Sequence, residues 1–366
     1  MNSVRRLMRG GAAVAALTLG LVACGSSGSN SAKGGSAGSG SGSGGGTIGF
    51  ADQFIAGNSW LATLAKGAEA YGASHGYRVV SADAQGDPTK QAQQIQTFIN
   101  EGVKAIVIEP VNAESPGPAI AAAKRAGIPV VIVNDLVAPH LQAQVFCNVT
   151  DDGTAVGRLV GQQVGAAVVG RYKSNETVKL FVMALFPDSP ATQVRETGFL
   201  EGFNSYLSSH SGPKVVRVPD QYGHALPDAT LTAMRGVISG NPDLKVIFNE
   251  TDVVFPAVQE ALSGAGLMNP NGESSIIIGG FDGGTPQIQA MASDPKYAMV
   301  ATGLDEPGTQ AADAVQEAIA AAEHKSPISC AGSPAMRVLQ PRVATRANAR
   351  QLTNPNLAFA GSTTGG

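Results

Sequence analysis

The sequence predicts an α/β protein built as two doubly wound lobes, each around a parallel sheet. Three observations carry this. Short apolar runs alternate with helical stretches along most of the chain. The runs are continuously apolar, as in strands buried on both faces, rather than alternating. The alternation also runs its course and starts again after Phe146, so the pattern occurs twice. Strands alternating with helices imply parallel pairing. A length of 366 residues accommodates two or three domains at about 100–200 residues each.

The elements follow in order. Ile48–Ala51 is a short apolar strand, followed by a polar loop and a helix from Trp60 to His75. On that helix Leu61, Leu64, Ala65 and Ala68 recur at i, i+3, i+4 and i+7, one apolar face. Strand Tyr77–Ala82, helix Pro88–Glu101, strand Ala105–Glu109, helix Ser115–Ala126 and strand Ile128–Val133 complete the first round. Pro88 suits a first helical turn, where its missing N–H costs nothing. The second round reads helix Thr154–Val169, strand Thr177–Ala184, helix Ala191–Ser208, strand Lys214–Val218 and helix Asp228–Ser239. Strand Val246–Asn249, helix Phe255–Gly266, strand Ile276–Phe281, short helix Pro286–Ser293 and strand Tyr297–Thr302 follow. A surplus helix, Gly308–Glu323, and an extended run, Met336–Thr345, remain at the C-terminus. They predict that the chain passes between the lobes more than once.

Ahead of this body lies an export signal. Residues 1–23 carry Arg5, Arg6 and Arg9 and then an apolar stretch from Ala12 to Ala23. A basic head with a short apolar core is a secretory signal, and a dozen apolar residues fall short of the roughly 20 that a spanning helix needs. The stretch ends in Leu21-Val22-Ala23-Cys24, a bacterial lipobox pattern in which cleavage precedes Cys24 and its thiol takes up lipid. Residues 25–46 hold ten Gly and eight Ser. With so little to bury, the tract is expected to act as a flexible tether with a reach of about 25 Å.

Composition excludes several classes. Hydrophobic residues at 43% supply real cores and rule out global disorder. A net charge of −3, or −6 once the three signal arginines are gone, leaves no basis for nucleic-acid binding by bulk charge. It also gives no electrostatic attraction to an anionic bilayer, so the lipid on Cys24 must do the anchoring. Cys147 and Cys330 remain, either bridged after export or as two separate buried thiols. The chain shows no Gly-x-Ser-x-Gly, no phosphate loop after a strand and no His pair at metal spacing. It reads as a non-enzyme needing no metal and no cofactor.

Ligands of open parallel sheets bind beyond the carboxyl ends of the strands, so those loops hold the candidate site. After the first strand, Asn58 can cap the helix and Trp60, the only Trp, can either stack on a ligand or pack in the core. Asn134 and Asp135 follow the fourth strand and can share hydrogen bonds with hydroxyls. In the second round Arg195, in the first turns of a helix, has a guanidinium able to fork two oxygens. Thr251 and Asp252 follow one strand end, and Asp282 sits among the glycines of Gly279–Gly284 at another.

Several ordered pieces together resemble the type I periplasmic binding proteins, and among them the ribose-binding-like sugar receptors of ABC importers. They are Lys66-Gly67-Ala68-Glu69, Ala105–Pro110, Ala126–Val130, Arg195-Glu196-Thr197-Gly198 and Gly280-Phe281-Asp282-Gly283, spread over residues 47–350. The resemblance implies two lobes joined by three hinge strands, near Phe146–Val149, Gly303–Asp305 and Met336–Leu339. Lobe 1 would then comprise 47–146 plus 304–336, and lobe 2 147–303 plus 337–366. Cys147 and Cys330 would lie near two of the hinges. Asn58 and Trp60 match the family's first-loop Asn and stacking aromatic, Arg195 and Asp282 its lobe 2 contacts, and Tyr222 or His224 a further aromatic. Departures are Asn134-Asp135 for Asp-Arg, Thr251-Asp252 for Asn-Asp, and the loss of a hinge Gln near Gly303-Leu304-Asp305. A changed polar set means a changed ligand.

The resemblance implies a lipid-anchored receptor on the outer face of the cell membrane. It would act as a monomer, delivering a solute to the permease and ATPase of an ABC importer and contacting no nucleic acid. Asp135, Asp252, Asp282 and Asp305 against Arg195 would repel an anion, and buried charges are costly unless paired. The expected ligand is therefore a neutral monosaccharide or polyol, with a cation second. The alternative is a ligand-sensing receptor for a membrane signalling system.

Overall fold

The computed structural model describes residues 45–187, 189–352 and 359. The signal, the lipobox with Cys24, all but the end of the tether and most of the residues after 352 lie outside them.

The first round of the pattern folds as β1 (Gly46–Asp52), α1 (Ser59–Ser74), β2 (Tyr77–Asp83), α2 (Pro88–Glu101), β3 (Ala105–Ile108), α3 (Gly117–Arg125) and β4 (Val130–Val133). A short helix, α4 (Pro139–Gln142), leads to β5 (Cys147–Asp151). The second round is α5 (Gly153–Val169), β6 (Thr177–Ala184), α6 (Pro190–Ser209), β7 (Lys214–Arg217), β8 (Gln221–Tyr222), α7 (Pro227–Gly240), β9 (Leu244–Asn249), α8 (Phe255–Gly264), β10 (Ile277–Phe281), α9 (Thr285–Ser293) and β11 (Met299–Gly303). The chain ends with α10 (Pro307–Ala322), β12 (Met336–Leu339), β13 (Val343–Thr345) and α11 (Ala349–Leu352). Local signals set many of these limits. Asp87 caps α2 by accepting from the N–H groups of Thr89 and Lys90, and Gly102 in the left-handed region ends it.

Two sheets result. The first runs β12-β5-β4-β3-β1-β2, and the second runs β13-β11-β10-β9-β6-β7 with β8 beside β6. All pairs are parallel except β11 with β13. Leaving aside β12, β13 and β8, both sheets have the doubly wound order in which the second strand lies outside the first and the third lies on its other side. Helices cover both faces. Trp60, Leu64 and Ala68 of α1 pack with Ala311, Val315 and Ala318 of α10 on one face of the first sheet. Val156, Val160 and Val164 of α5 pack with Phe199, Phe203 and Leu180 on one face of the second.

Thus α5, which follows a first-sheet strand, covers the second sheet, and α10, which follows a second-sheet strand, covers the first. The chain changes sheet after Asp151, after Gly303 and between Leu339 and Val343. Two of these places differ from expectation. Cys147–Asp151 was expected to open lobe 2, and it is the fifth strand of the first sheet, paired with β4 and β12. Its buried Asn148 and Thr150 break the apolar run that marks the other strands. The run Met336–Thr345 is two strands, one per sheet, because Gln340-Pro341-Arg342 interrupts it.

Cys147 and Cys330 are joined in a disulfide with their Cα atoms 6.0 Å apart. It ties β5 to the segment that leads into β12. Glu317, wholly buried on α10, holds the same segment by accepting from the N–H groups of Ile328, Ser329 and Cys330. Helices α5 and α6 meet backbone to backbone at Gly157, Gly161, Gly198 and Gly202. A Cβ at Gly161 would collide with the Phe199 carbonyl, and one at Gly198 with the Thr154 carbonyl.

Candidate functional site

Nearly every strand of the two sheets delivers a polar or acidic group at its carboxyl end. In the first lobe β1 ends in Asp52 and leads to Gln53, β3 leads to Glu109, β4 to Asn134 and Asp135, and β5 ends in Asp151. In the second, β9 leads to Glu250 and Thr251, β10 to Asp282 and β11 to Asp305. Arg195 comes from the second turn of α6.

Arg195 organises the second-lobe half. Its Nη1 donates to the Glu250 carbonyl at 2.8 Å and to Asp282 Oδ1 at 3.0 Å, and its Nη2 to Asp305 Oδ2 at 2.9 Å. The guanidinium carbon lies 4.1 Å from the centre of the Phe281 ring, a cation–π contact. Thr251 Oγ1 donates to the other oxygen of Asp282 at 2.5 Å, and Gln310 Nε2 to Asp305 Oδ1 at 2.5 Å. Asp282 and Asp305 are therefore each gripped on both oxygens. Asp282 holds φ at +91° between Phe281 and Gly283. That strained backbone in a non-glycine residue is a mark of functional sites. Burial raises the Asp282 carboxyl and Arg195 lowers it. Burial and the neighbouring Asp151 push Asp305 well up, against Arg195.

The first-lobe half is a second network. Glu109, wholly buried, accepts at Oε1 from Gln53 Nε2 at 2.8 Å and Asn134 Nδ2 at 3.0 Å. Gln53 Nε2 also reaches Asp135 Oδ2 at 3.4 Å. Asn134 adopts φ +63° to make this contact. Burial, then Asp135 and Asp52, drives the Glu109 carboxyl well above its ordinary value. Asp151 is pushed up to about 6 by burial; Arg195 opposes this and Asp135 adds to it.

The two halves meet at Asp305. Its side chain pairs with Arg195 of the second lobe, and its carbonyl accepts the indole N–H of Trp60, from the first lobe, at 2.9 Å. Trp60 is 5% exposed and packs among Ile48, Phe50 and Leu64. Of the two sequence readings of this indole, the structure gives the core one, with its single donor spent on the backbone.

The sequence-derived residues thus divide. Asn134 and Asp135 on one side, and Arg195, Thr251, Asp282 and Asp305 on the other, sit in connected hydrogen-bond sets at the strand ends. Asn58 caps α1 by accepting from the N–H groups of Trp60 and Leu61. Asp252 braces the second lobe internally, accepting from Thr302 Oγ1 at 2.7 Å and the Gly284 N–H at 2.9 Å. Burial, with Asp282 adding, pushes its carboxyl up to about 8. Tyr222 lies exposed on β8, close to where His224 meets Phe186 edge to face, ring centres 5.2 Å apart. Arg195, expected to fork ligand oxygens, has both terminal nitrogens bonded to the protein.

Sequence reasoning missed Gln53, Glu109, Asp151 and Glu250. Glu109 was read as the end of a strand, Glu250 as part of a strand end and Asp151 as the start of the second lobe. Taking the first polar residue after every apolar run would have found Glu109, which follows Ala105–Ile108 directly; Glu250 stands one place further, behind Asn249.

Comparison with known proteins agrees with this architecture. The family model described as a periplasmic binding protein domain matches residues 54–326. A ribose import binding protein of Escherichia coli is 25% identical over 241 residues, 66% of this chain and 74% of that protein. A xylitol-binding protein of Mycolicibacterium smegmatis is 33% identical over 161 residues, 44% of this chain and 42% of that protein. Among solved structures, an ABC transporter solute-binding protein from Mycobacterium smegmatis with bound glycerol superposes with a TM-score of 0.71 at 25% identity. That match covers 86% of this chain and 98% of that one. Each of these relatives carries the name of a binding protein, none that of an enzyme.

Proposed function

This chain belongs to the periplasmic binding protein family, and from that premise we propose that it captures a neutral monosaccharide or polyol between its lobes for an ABC importer. The supporting observation is the convergence of strand ends from both sheets on Asp305, which one lobe holds through Trp60 and the other through Arg195. A hinged pair of lobes with polar groups at the facing strand ends can close around a small hydroxylated molecule. The polar groups at the strand ends include the carboxyl oxygens of Asp135, Asp282 and Asp305. Hydroxyl groups supply the matching donors, whereas an anionic group donates none and would be repelled by the carboxylates. The names of the relatives favour the same class, since one imports ribose and another binds xylitol.

The export signal and Cys24 complete the proposal: a lipid on Cys24 would keep the receptor on the outer face of the cell membrane, beside the importer. Isothermal titration of the compact unit, residues 43–366, against pentoses, hexoses and their polyols tests the ligand class. A saturable heat with at least one of them is expected, and silence across the series, with no thermal stabilisation, would refute it. Replacing Cys24 with Ser should release the protein from the membrane fraction; retention would refute the anchor. Deleting the gene should abolish uptake of the ligand. Intact uptake with loss of a transcriptional or chemotactic response would favour a sensor instead.

A further inference from the structure

The strand ends carry more carboxyl groups than a neutral ligand needs. Asp52, Glu109, Asp135 and Asp151 come from the first sheet, and Glu250, Asp282 and Asp305 from the second. Among the described residues the one basic side chain bonded into this set is Arg195, and its charge is committed to Asp282 and Asp305. What remains is lopsided. Asp135 accepts a single long bond, from the Gln53 amide at 3.4 Å. Asp151 has a buried Oδ2 with no hydrogen-bond partner, and so does Asp52, a wholly buried residue beside Glu109. A buried carboxylate oxygen without a donor is costly. Asp135 and Asp151 lie at neighbouring strand ends, since β4 and β5 pair in parallel with Val133 opposite Val149, two residues earlier.

A metal ion is not the answer the geometry gives. Among the described residues the one group of three that brings its ligand atoms within 4.8 Å is Cys147, Glu317 and Cys330, away from the strand ends and with both cysteines in a disulfide. An organic cation is. An ammonium brings three donors and a full charge where a hydroxyl brings one donor and none.

We infer that the cleft also takes a polyol carrying one protonated amine, and holds it more tightly than the neutral parent, with the ammonium between Asp135 and Asp151. The inference rests on the polyol reading above and adds a charge requirement to it. Unlike a hydroxyl, the ammonium brings a positive charge to two carboxyls to which Arg195 makes no hydrogen bond.

The test compares matched pairs by isothermal titration of residues 43–366: glucose with glucosamine, sorbitol with 1-amino-1-deoxysorbitol, and xylitol with 1-amino-1-deoxyxylitol. The amine should bind more tightly in at least one pair, on the order of tenfold, as one charge-assisted contact supplies. In Asp135→Asn and Asp151→Asn, checked for folding by thermal melts, that ratio should shrink toward one. Binding of a neutral polyol with its amine equal or weaker would overturn the inference and leave the polyol reading standing. An amine preference that survives both substitutions would overturn the assignment to Asp135 and Asp151. Silence of both members of every pair would refute the polyol reading, and the inference with it.

Discussion

Replacing Arg195 with Met tests the electrostatic reasoning directly. The guanidinium faces two carboxylates whose side chains are 4% and 1% exposed, at 3.0 and 2.9 Å. Met keeps much of the apolar contact with Phe281 and removes the charge. Breaking one side of a buried ion pair costs about 3–5 kcal/mol, because the partner is left charged and dry. For a unit of this size that corresponds to a fall in Tm of about 4–7 °C at neutral pH. The loss must depend on pH. Without Arg195 the carboxyls of Asp282 and Asp305 lose the influence that lowers them, and burial raises them further. A carboxyl whose folded pKa lies above its unfolded one costs nothing below about pH 4 and progressively more as pH rises through the folded value. Melting curves of wild type and Arg195→Met at pH 4.5 and 7.5 should therefore differ little at the lower pH and by the full amount at the higher. An equal loss at both would mean that packing, not charge, is what Arg195 contributes. No loss at pH 7.5 would refute the buried-pair argument altogether.

Three further outcomes follow from the same geometry. The wild-type protein should itself be more stable at pH 5 than at pH 8, because burial pushes Asp52 up to about 7 and Glu250 and Asp252 up to about 8. Their stabilising protonation is complete below the unfolded values and is lost on the way to pH 8; a Tm that rises over this range would contradict it. Replacing Cys330 with Ser opens a bridge spanning 183 residues and should cost about 2–5 kcal/mol, measured by urea denaturation against untreated and reduced wild type, with no loss if the bridge is idle. Gly161→Ala forces a methyl group into the Phe199 carbonyl and should destabilise by about 1–3 kcal/mol as an overpacked contact, whereas Gly236→Ala, where the added Cβ meets open space, should not.

How far this molecule can be read from its residues differs between its parts. The alternation of strand and helix was legible because β3, β4 and β10 lie between two layers of helices and must be apolar throughout. The changes of sheet were less so. Asn148 and Thr150 are buried polar residues in β5, and they disguise a strand as a linker. Pro341 sits inside what read as one extended run and divides it between two sheets. The rule that loops after strands carry function picked out Asn134, Asp135 and Asp282, and the family resemblance added Asp305; the structure puts all four at or just past strand ends. The rule left Trp60 open between ligand and core, although Trp60 stands at i, i+4 and i+8 with Leu64 and Ala68 and so belongs to the buried stripe of α1. It also could not foresee that Arg195 bonds to the protein through both terminal nitrogens, because the pairing with Asp305 spans 110 residues and depends on how the lobes meet.

The bare contact between α5 and α6 has a mechanical side. Helix α5 begins two residues past the end of β5, where the chain first leaves the lower-numbered sheet, and α6 carries Arg195. Where glycines let two backbones touch, no side chain can change rotamer to absorb a load. Rotation applied at that crossing is passed from one helix to the other as from one half of a rigid gearbox, without backlash. Because both helices cover the second sheet, α5, α6 and the Arg195 that α6 carries form one stiff piece of that lobe, and the three crossings between sheets are where the two lobes can bend.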